Sequence, residues 1–500
     1  MSFRQLEYDI VIVGSGAGGG TVAKELAPLA KKGARIALLD WGGRFDPSLH
    51  HSRNEVDMAM KYYFDMGGYQ TVSQDLTLAF AKAVGGSTNV YTGTSLRIPE
   101  TVLTKWAIPG LAREDLDPRF EKYEIENNVH LTPENDLNDN NKLFRQACAA
   151  LNWRVEQFPV NTKNCVGLGT CNLGCAIGAK QGTAAVQIPL AERAGVEVIP
   201  WCRVDKISSY GVYATIEEAR PGFERGHHVP GPYRILAKKI ILAAGAVYSP
   251  LLLMRSGIKS PALGRYFTCH PALILVGKHP QPISNIQGHP KSFYCDQHME
   301  KDCVLLESCM YFPFTLAKNL TGYGEEMDDL VRHFTHLQMI LVLAIDEAEK
   351  SNRVTWGRDG RPKIHYRISQ KTKESLIAGV KASSRLFFAA GAQQVHAPGA
   401  SRFYLSRNEV NRLDHLISKK NFRLGQVSIA AAHLMGGCRM GVDPKRSVTD
   451  PWGRVHGQRN LYVADASLFP AASEINPYLT IMALADRVAQ AVRSDLGEKQ

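Results

Sequence analysis

The sequence predicts an α/β fold, α+β over the whole chain, in which a layer of strands and crossover helices is joined to a second part built on a mainly antiparallel sheet. Three observations carry this. A strand, a glycine-rich turn and a helix follow one another from Tyr8. A second strand, Arg35 to Leu39, closes on an acidic residue. Strand-like runs and a hairpin pattern fill the region from about 271 to 427. At 500 residues the chain exceeds the size at which a single core keeps growing, so two domains are expected.

Residues Tyr8 to Val13 are a short, near-continuous apolar strand. Gly14, Ser15, Gly16, Ala17, Gly18 and Gly19 come next, and then the helix-like TVAKELAPLAKK. Gly14 permits the tight turn and Gly16 lets backbone approach a pyrophosphate. Gly19 lets the helix pack on the strand, and the helix N-terminus offers unpaired N–H groups to phosphates. Asp40 lies 21 positions after Gly19, where a carboxylate accepts hydrogen bonds from an adenosine ribose. A GxGxxG alone is weak, but this complete βαβ pattern favours a Rossmann-like dinucleotide site over a structural glycine turn. It does not separate NAD from FAD, which share adenosine diphosphate. The motif's place at the N-terminus of a long chain, with companion segments far downstream, suits a flavoprotein that wraps its cofactor.

Those companions begin with Ala83 to Pro99, AVGGSTNVYTGTSLRIP, whose paired glycines and small hydroxyl residues can lie flat against a large ring. Lys239 to Ile258, KIILAAGAVYSPLLLMRSGI, is a buried strand running into Ala243, Ala244 and Gly245, then a helix. Here too small residues permit close backbone approach. The stretches VLLESCMYF and MILVLAI read as strands, RVTWGRDGRPKIHYRI as a hairpin of the same sheet turning at Asp359–Gly360, and about 372 to 390 as a helix. Phe312, Phe314 and Phe334 either line a lipid-like pocket or are core. Near the C-terminus stand His433 in HLMGGCRMG, then NLYVADASLFP, then Asn476 and Pro477 opening YLTIMALADRVAQAV. Asn476 is placed to cap that helix, with proline at its first position.

These blocks, in this order, resemble the glucose–methanol–choline oxidoreductases at both ends and in the middle of the chain. The resemblance implies FAD, held by a domain assembled from discontinuous segments 1–100, 190–270 and 428–500. Residues 101–189 and 271–427 then supply a linker with a cysteine segment and the substrate-binding domain. By the same resemblance Gly14, Gly16, Gly19 and Asp40 hold the adenosine diphosphate, and Gly86, Ser87 and Asn89 line the isoalloxazine. Val204 meets the adenine through its backbone, Ala244 approaches the cofactor, and Asp465 and Ala466 approach the pyrophosphate and ribityl chain. Trp41 departs from the family's usual alanine and is placed to cover the adenosine. His270, in Cys269–His270–Pro271, matches a recurring family position and is taken as structural.

Oxidising an alcohol removes a hydroxyl proton and a carbon-bound hydride, and the hydroxyl is too weak an acid to ionise unaided. Histidine titrates near neutrality, and a well-placed general base contributes roughly 100- to 10,000-fold. A lone histidine is more often structural, but His433 stands where the family keeps its catalytic base. Asn476 stands where the family has a His or Asn bonded to the substrate oxygen, and with Pro477 it brings a helix N-terminus to the flavin. The expected activity is FAD-dependent oxidation of an alcohol to an aldehyde or ketone, an apolar alcohol being preferred to a sugar. Electrons then pass to a redox partner or quinone. An oxygen-using oxidase that produces peroxide and a lyase of the same fold are the alternatives.

Cys165, Cys171 and Cys175 lie in NCVGLGTCNLGCAIGAKQG. Structural zinc wants four ligands and no histidine is near, whereas a [3Fe–4S] cluster needs three cysteines. The segment resembles the hinge of bacterial FAD-dependent sugar dehydrogenases, which carry such a cluster, and also cysteine-containing segments of long-chain alcohol oxidase-like proteins. Cluster and plain thiols both stand. The net charge of +11 comes from scattered basic residues, which does not point to nucleic acid. The stretch Lys419 to Arg423 reads as a solvated face, with peripheral membrane association the alternative. No apolar run reaches the roughly 18–20 residues of a membrane span, and no secretory leader is legible, so a cytoplasmic location is expected.

Overall fold

The computed structural model describes residues 3–497 other than 222, 284 and 321. In chain order the principal elements are β1 (Arg4–Val13), α1 (Ala17–Lys31), β2 (Ile36–Leu39), β3 (Glu197–Ile199), β4 (Cys202–Ser208), β5 (Gly211–Ile216), β6 (Gly231–Leu242), α2 (Gly245–Arg255), β7 (Ala272–Lys278), β8 (Val304–Ser308), β9 (Leu337–Ala344), α3 (Gln370–Ala389), β10 (Leu461–Val463) and α4 (Tyr478–Asp495). No described helix is long and apolar enough to cross a membrane.

The first sheet runs β3-β2-β1-β6-β5-β4, with β10 added beside β6. Its centre is parallel and covered by helices, which is why Ile10 to Val13 and Ile36 to Leu39 are apolar without alternation. Register aligns the strand ends. Val13 pairs with both Leu39 and Leu242, and Leu242 pairs with Val463. The next residues, Gly14, Asp40, Ala243 and Ala464, therefore emerge side by side at the carboxyl edge of one parallel sheet. That edge is where ligands of open α/β sheets bind. α1 packs against α4, so the first and last long helices share one core.

The second sheet has ten strands and is mainly antiparallel around β7-β9-β8, with Ala272 opposite Leu343, Ile274 opposite Leu341, and Glu307 opposite Leu341. One face, with Leu273, Leu275, Leu306, Ile340 and Val342, packs on α3. The other carries Ala272, Ile274, Leu305, Leu341, Leu343 and, as an exception, Glu307. Short strands from distant segments complete this sheet, since Tyr69–Gln70 and Thr77–Leu78 lead to Ala430–Ala431 and thence to β7.

The hairpin turning at Asp359–Gly360 forms as expected but not within the large sheet. Arg353–Trp356 and Pro362–His365 pair with each other in a two-stranded sheet of their own. Trp356 explains its docking: the indole N–H donates to the Leu251 carbonyl of α2 at 2.9 Å, and the Arg255 guanidinium lies 3.8 Å from the ring centroid.

Candidate active site

A cavity of about 910 Å³ runs from the carboxyl edge of the first sheet to the exposed face of the second. Its volume is near the upper end of the roughly 300–1,000 Å³ usual for small-molecule sites. The glycine turn forms one wall. Gly14 has φ +97°, and a side chain there would lie 2.3 Å from the Ala243 carbonyl oxygen. A Cβ on Gly19 would lie 1.8 Å from the Gly14 oxygen, and one on Gly18 would lie 1.7 Å from the Ala464 oxygen. These three glycines let α1 close onto the strand ends. Gly16 is different: a Cβ there would meet only the Gly86 Cα, at 3.8 Å, so Gly16 and Gly86 face each other across the cavity wall. α1 has no side-chain cap, which leaves its first N–H groups open to an anion.

Asp40 is buried and faces the cavity. Its Oδ2 accepts from the Ser15 amide at 3.0 Å and the Ser15 hydroxyl at 2.5 Å, and Oδ1 accepts from the Gly42 amide at 2.7 Å. Ser15 Oγ accepts in turn from the Gly85 amide at 2.8 Å, tying the first turn to the second glycine loop. Burial outweighs these donors and raises the Asp40 carboxyl to about 6. Asp465 repeats the arrangement at the start of α2, accepting from Gly245 N at 2.9 Å, Ser249 Oγ at 2.5 Å and Ser467 N at 2.8 Å. Its carboxyl too is raised by burial.

Of the other residues singled out from sequence, Trp41, Ser87, Val204, Ala244, Ala466, Pro477 and Phe314 line the cavity. Gly19 and Asn89 stand behind its wall. Asn89 donates to the carbonyls of Val84 and Gly86 at 2.9 and 3.1 Å and so braces the loop. Phe312 and Phe334 pack elsewhere.

His433 follows Ala430–Ala431 and enters the cavity half-buried. Its Nε2 accepts from Asn476 Nδ2 at 3.3 Å, and its Nδ1 lies 3.0 Å from His270 Nδ1, with the two rings perpendicular. An amide donor on Nε2 marks that nitrogen as the unprotonated one, its lone pair engaged by Asn476, and puts the His433 proton on Nδ1, where it donates to His270. Burial, then the neighbouring His270 and Lys291, lower the proton affinity of His433 well below the usual histidine range. Burial alone takes fully buried His270 to about 3. Both rings are therefore neutral at pH 7. Asn476 is not the helix cap that its sequence position suggests, since α4 begins at Tyr478 after Pro477 and the Asn476 side chain is turned to His433. Its Oδ1 is buried without a partner among the described residues.

His270, read from sequence as structural, stands beside His433 in the cavity wall. Its sequence signals were its match to a recurring family position and its place just ahead of β7, two residues from Ala272, on the strand face that lines the cavity.

The residues fit a dinucleotide. The cradle at Gly16 is open, the α1 N-terminus is uncapped, and polar atoms of Asp40 and Asn476 face the same cavity. The three-cysteine segment does not fit a cluster. Cys165 is exposed while Cys171 and Cys175 are half-buried, and Cys175 Sγ accepts from the Ala179 amide at 3.2 Å. Among the described residues no three His, Cys, Asp or Glu side chains gather closely enough to hold a metal. Burial pushes the Cys171 thiol up to about 11, away from the thiolate that a metal requires. Lys180 pins the segment to the second glycine loop, donating to the carbonyls of Asn89 and Cys171 at 2.9 and 2.5 Å.

The family description GMC oxidoreductase matches residues 8–272 with its N-terminal part and 348–485 with its C-terminal part. An uncharacterised GMC-type oxidoreductase of Mycobacterium tuberculosis is 31% identical over 494 residues, covering 96% of this chain and 75% of that one. A long-chain-alcohol oxidase of Arabidopsis thaliana is 26% identical over 515 residues, covering 96% and 68%. Among solved structures, pyridoxine 4-oxidase from Mesorbium loti superposes with a TM-score of 0.69 at 17% identity, over 97% of this chain and 99% of that one.

Proposed function

The chain belongs to the glucose–methanol–choline oxidoreductases, and on that premise we propose that it oxidises a primary or secondary alcohol with FAD, His433 being the base. The observation that carries this is the His433 ring in the cavity wall, its Nε2 3.3 Å from the Asn476 amide nitrogen and its Nδ1 3.0 Å from His270 Nδ1. A substrate hydroxyl that displaces the Asn476 amide from Nε2 gives that nitrogen its proton, and the freed amide then donates to the substrate oxygen. FAD, when bound, supplies the hydride acceptor. Gly14, Gly16, Asp40 and Val204 would hold its adenosine half, and Gly86, Ser87, Ala244, Asp465, Ala466 and Pro477 its flavin half, with Gly19 and Asn89 supporting from behind. The α4 N-terminus favours negative charge next to Pro477. On this reading segments 1–100, 190–270 and 428–500 carry the cofactor, and the second sheet forms the floor of the substrate site. The oxidase names of the Arabidopsis relative and of the pyridoxine 4-oxidase support oxygen as electron acceptor.

Anaerobic addition of alcohols to the FAD-loaded protein should bleach the oxidised flavin, and admission of air should restore it with release of peroxide. Failure of every primary and secondary alcohol to bleach it sinks the proposal and leaves the lyase. The pH profile is a second check. Because the proton affinity of His433 is lowered, the ring is neutral and competent throughout pH 6 to 8. The acid limb of kcat/KM should then fall below about 6.5, the ordinary histidine value. A limb at or above it contradicts the assigned state of His433.

A further inference from the structure

The cavity floor is one face of β7 and β9, with β8 next to β9 in the sheet but outside the cavity lining. His270 stands at its near end beside His433, and Ala272, Ile274, Leu341 and Leu343 make an apolar strip beyond it. Register puts Glu307 opposite Leu341 and therefore level with Ile274, two strands across and four residues along from His270. At ordinary sheet spacings that is about 16 Å between the Cα atoms of Glu307 and His270, while the Lys291 ammonium itself is near enough to His433 to lower that ring's proton affinity. The Glu307 side chain is fully buried and bonded to the ammonium of Lys291, which is itself 7% exposed and lines the cavity.

Lys291 is held in place. Its carbonyl accepts from His289 Nδ1 at 2.7 Å, and the flanking His289 carbonyl and Ser292 amide are both bonded to the Asn141 side chain, at 2.8 and 3.0 Å. Besides Glu307, the ammonium has the Phe158 ring, 5.7 Å from the ring centroid. An ammonium has three N–H donors, and Glu307 is its one hydrogen-bond acceptor among the described residues. A buried ion pair is commonly no more stable than an apolar pair of the same volume. Stability therefore does not account for this pair's presence in the wall of an otherwise apolar strip.

Resting on the alcohol-oxidising reading, we propose that Lys291 binds a second oxygen atom of the substrate. The alcohol oxidised is then a bifunctional one, with its reacting hydroxyl at His433, an alkyl middle against the apolar strip, and a carboxylate or second hydroxyl at Lys291.

The test compares decan-1-ol, decane-1,10-diol and 10-hydroxydecanoate on the FAD-loaded enzyme. One or both of the bifunctional substrates should exceed decan-1-ol in kcat/KM by about 10- to 100-fold, the range of a hydrogen bond to a charged group. The hydroxy acid leading identifies a carboxylate, and the diol leading identifies a hydroxyl. Lys291→Met alone strands a buried carboxylate and risks misfolding, so the informative variant is Lys291→Met with Glu307→Leu, which replaces the pair by apolar volume. In that double variant the ratio over decan-1-ol should collapse to near one. Decanoate, which has no hydroxyl to oxidise, provides a binding readout by perturbing the flavin spectrum, and its affinity should fall in parallel. A wild-type enzyme with no bifunctional preference, or a double variant that keeps the preference, overturns the proposal. If none of the three alcohols reduces the flavin, the alcohol reading falls instead, and decanoate binding still decides the role of Lys291.

Discussion

His433→Ala is expected to slow flavin reduction by an alcohol roughly 100- to 10,000-fold, the usual contribution of a positioned base, while FAD stays bound. The two halves of this expectation come from different parts of the cavity. His433 touches His270 and Asn476, and the adenosine-side contacts of Asp40, Ser15 and Gly85 are independent of it. Losing the ring leaves His270 Nδ1 without its donor, at a cost of about 1–3 kcal/mol in stability, which a chain of this size should survive. Anaerobic stopped-flow reduction, together with the flavin-to-protein ratio, separates the effects. Reduction within ten-fold of the parent rate removes His433 from the chemistry. Loss of flavin instead assigns it to cofactor binding.

Gly18→Ala should cost about 3 kcal/mol or more, the upper range for overpacking a tight site, and should strip the protein of flavin. The new methyl group would sit 1.7 Å from the Ala464 oxygen and 2.8 Å from its carbonyl carbon. Neither atom can yield, because Ala464 N is bonded to the Leu242 carbonyl at 2.7 Å in continuation of β10. α1 would have to move off the sheet. Gly16→Ala is the contrast, since its methyl has 3.8 Å of clearance from Gly86 and stands in the wall of the cavity where a nucleotide would be held. The apoprotein of that variant should melt with the parent yet lose FAD. Melting of both apoproteins, with flavin content, decides the matter. A Gly18→Ala protein that melts with the parent and keeps its flavin contradicts the predicted clash.

The contrast also shows what the sequence made legible. The spacing from Gly14 to Asp40 encodes two strand ends that must lie together, so the nucleotide edge could be read directly. Gly18 could not, because its obstacle is a carbonyl from the far end of the chain. Asn476 followed by proline obeys the local rule for a helix cap, but the contact with His433, invisible locally, took the side chain. His270 and Lys291 look like ordinary polar residues beside strands, since alternation says that faces exist but not which one meets a cavity. The cysteines failed in the opposite direction. Their spacing permits convergence, whereas the glycine-rich backbone and Lys180 hold them in a loop that does not close on one point.

The strand ends at Val13, Leu39, Leu242 and Val463 also have a temporal meaning. During synthesis the first three can assemble as soon as β6 has been made, but the fourth, with Asp465 and the helix that buries α1, is translated only after the whole second sheet. Until then α1 lacks its α4 neighbour and the nucleotide edge lacks a side. From the completion of β6 at Leu242 until β10 is made, the ribosome therefore carries a half-built groove with exposed apolar surface, a condition that favours aggregation. FAD can meet its full bed only at the end of translation, which makes the cofactor the last component to arrive and not a template for folding.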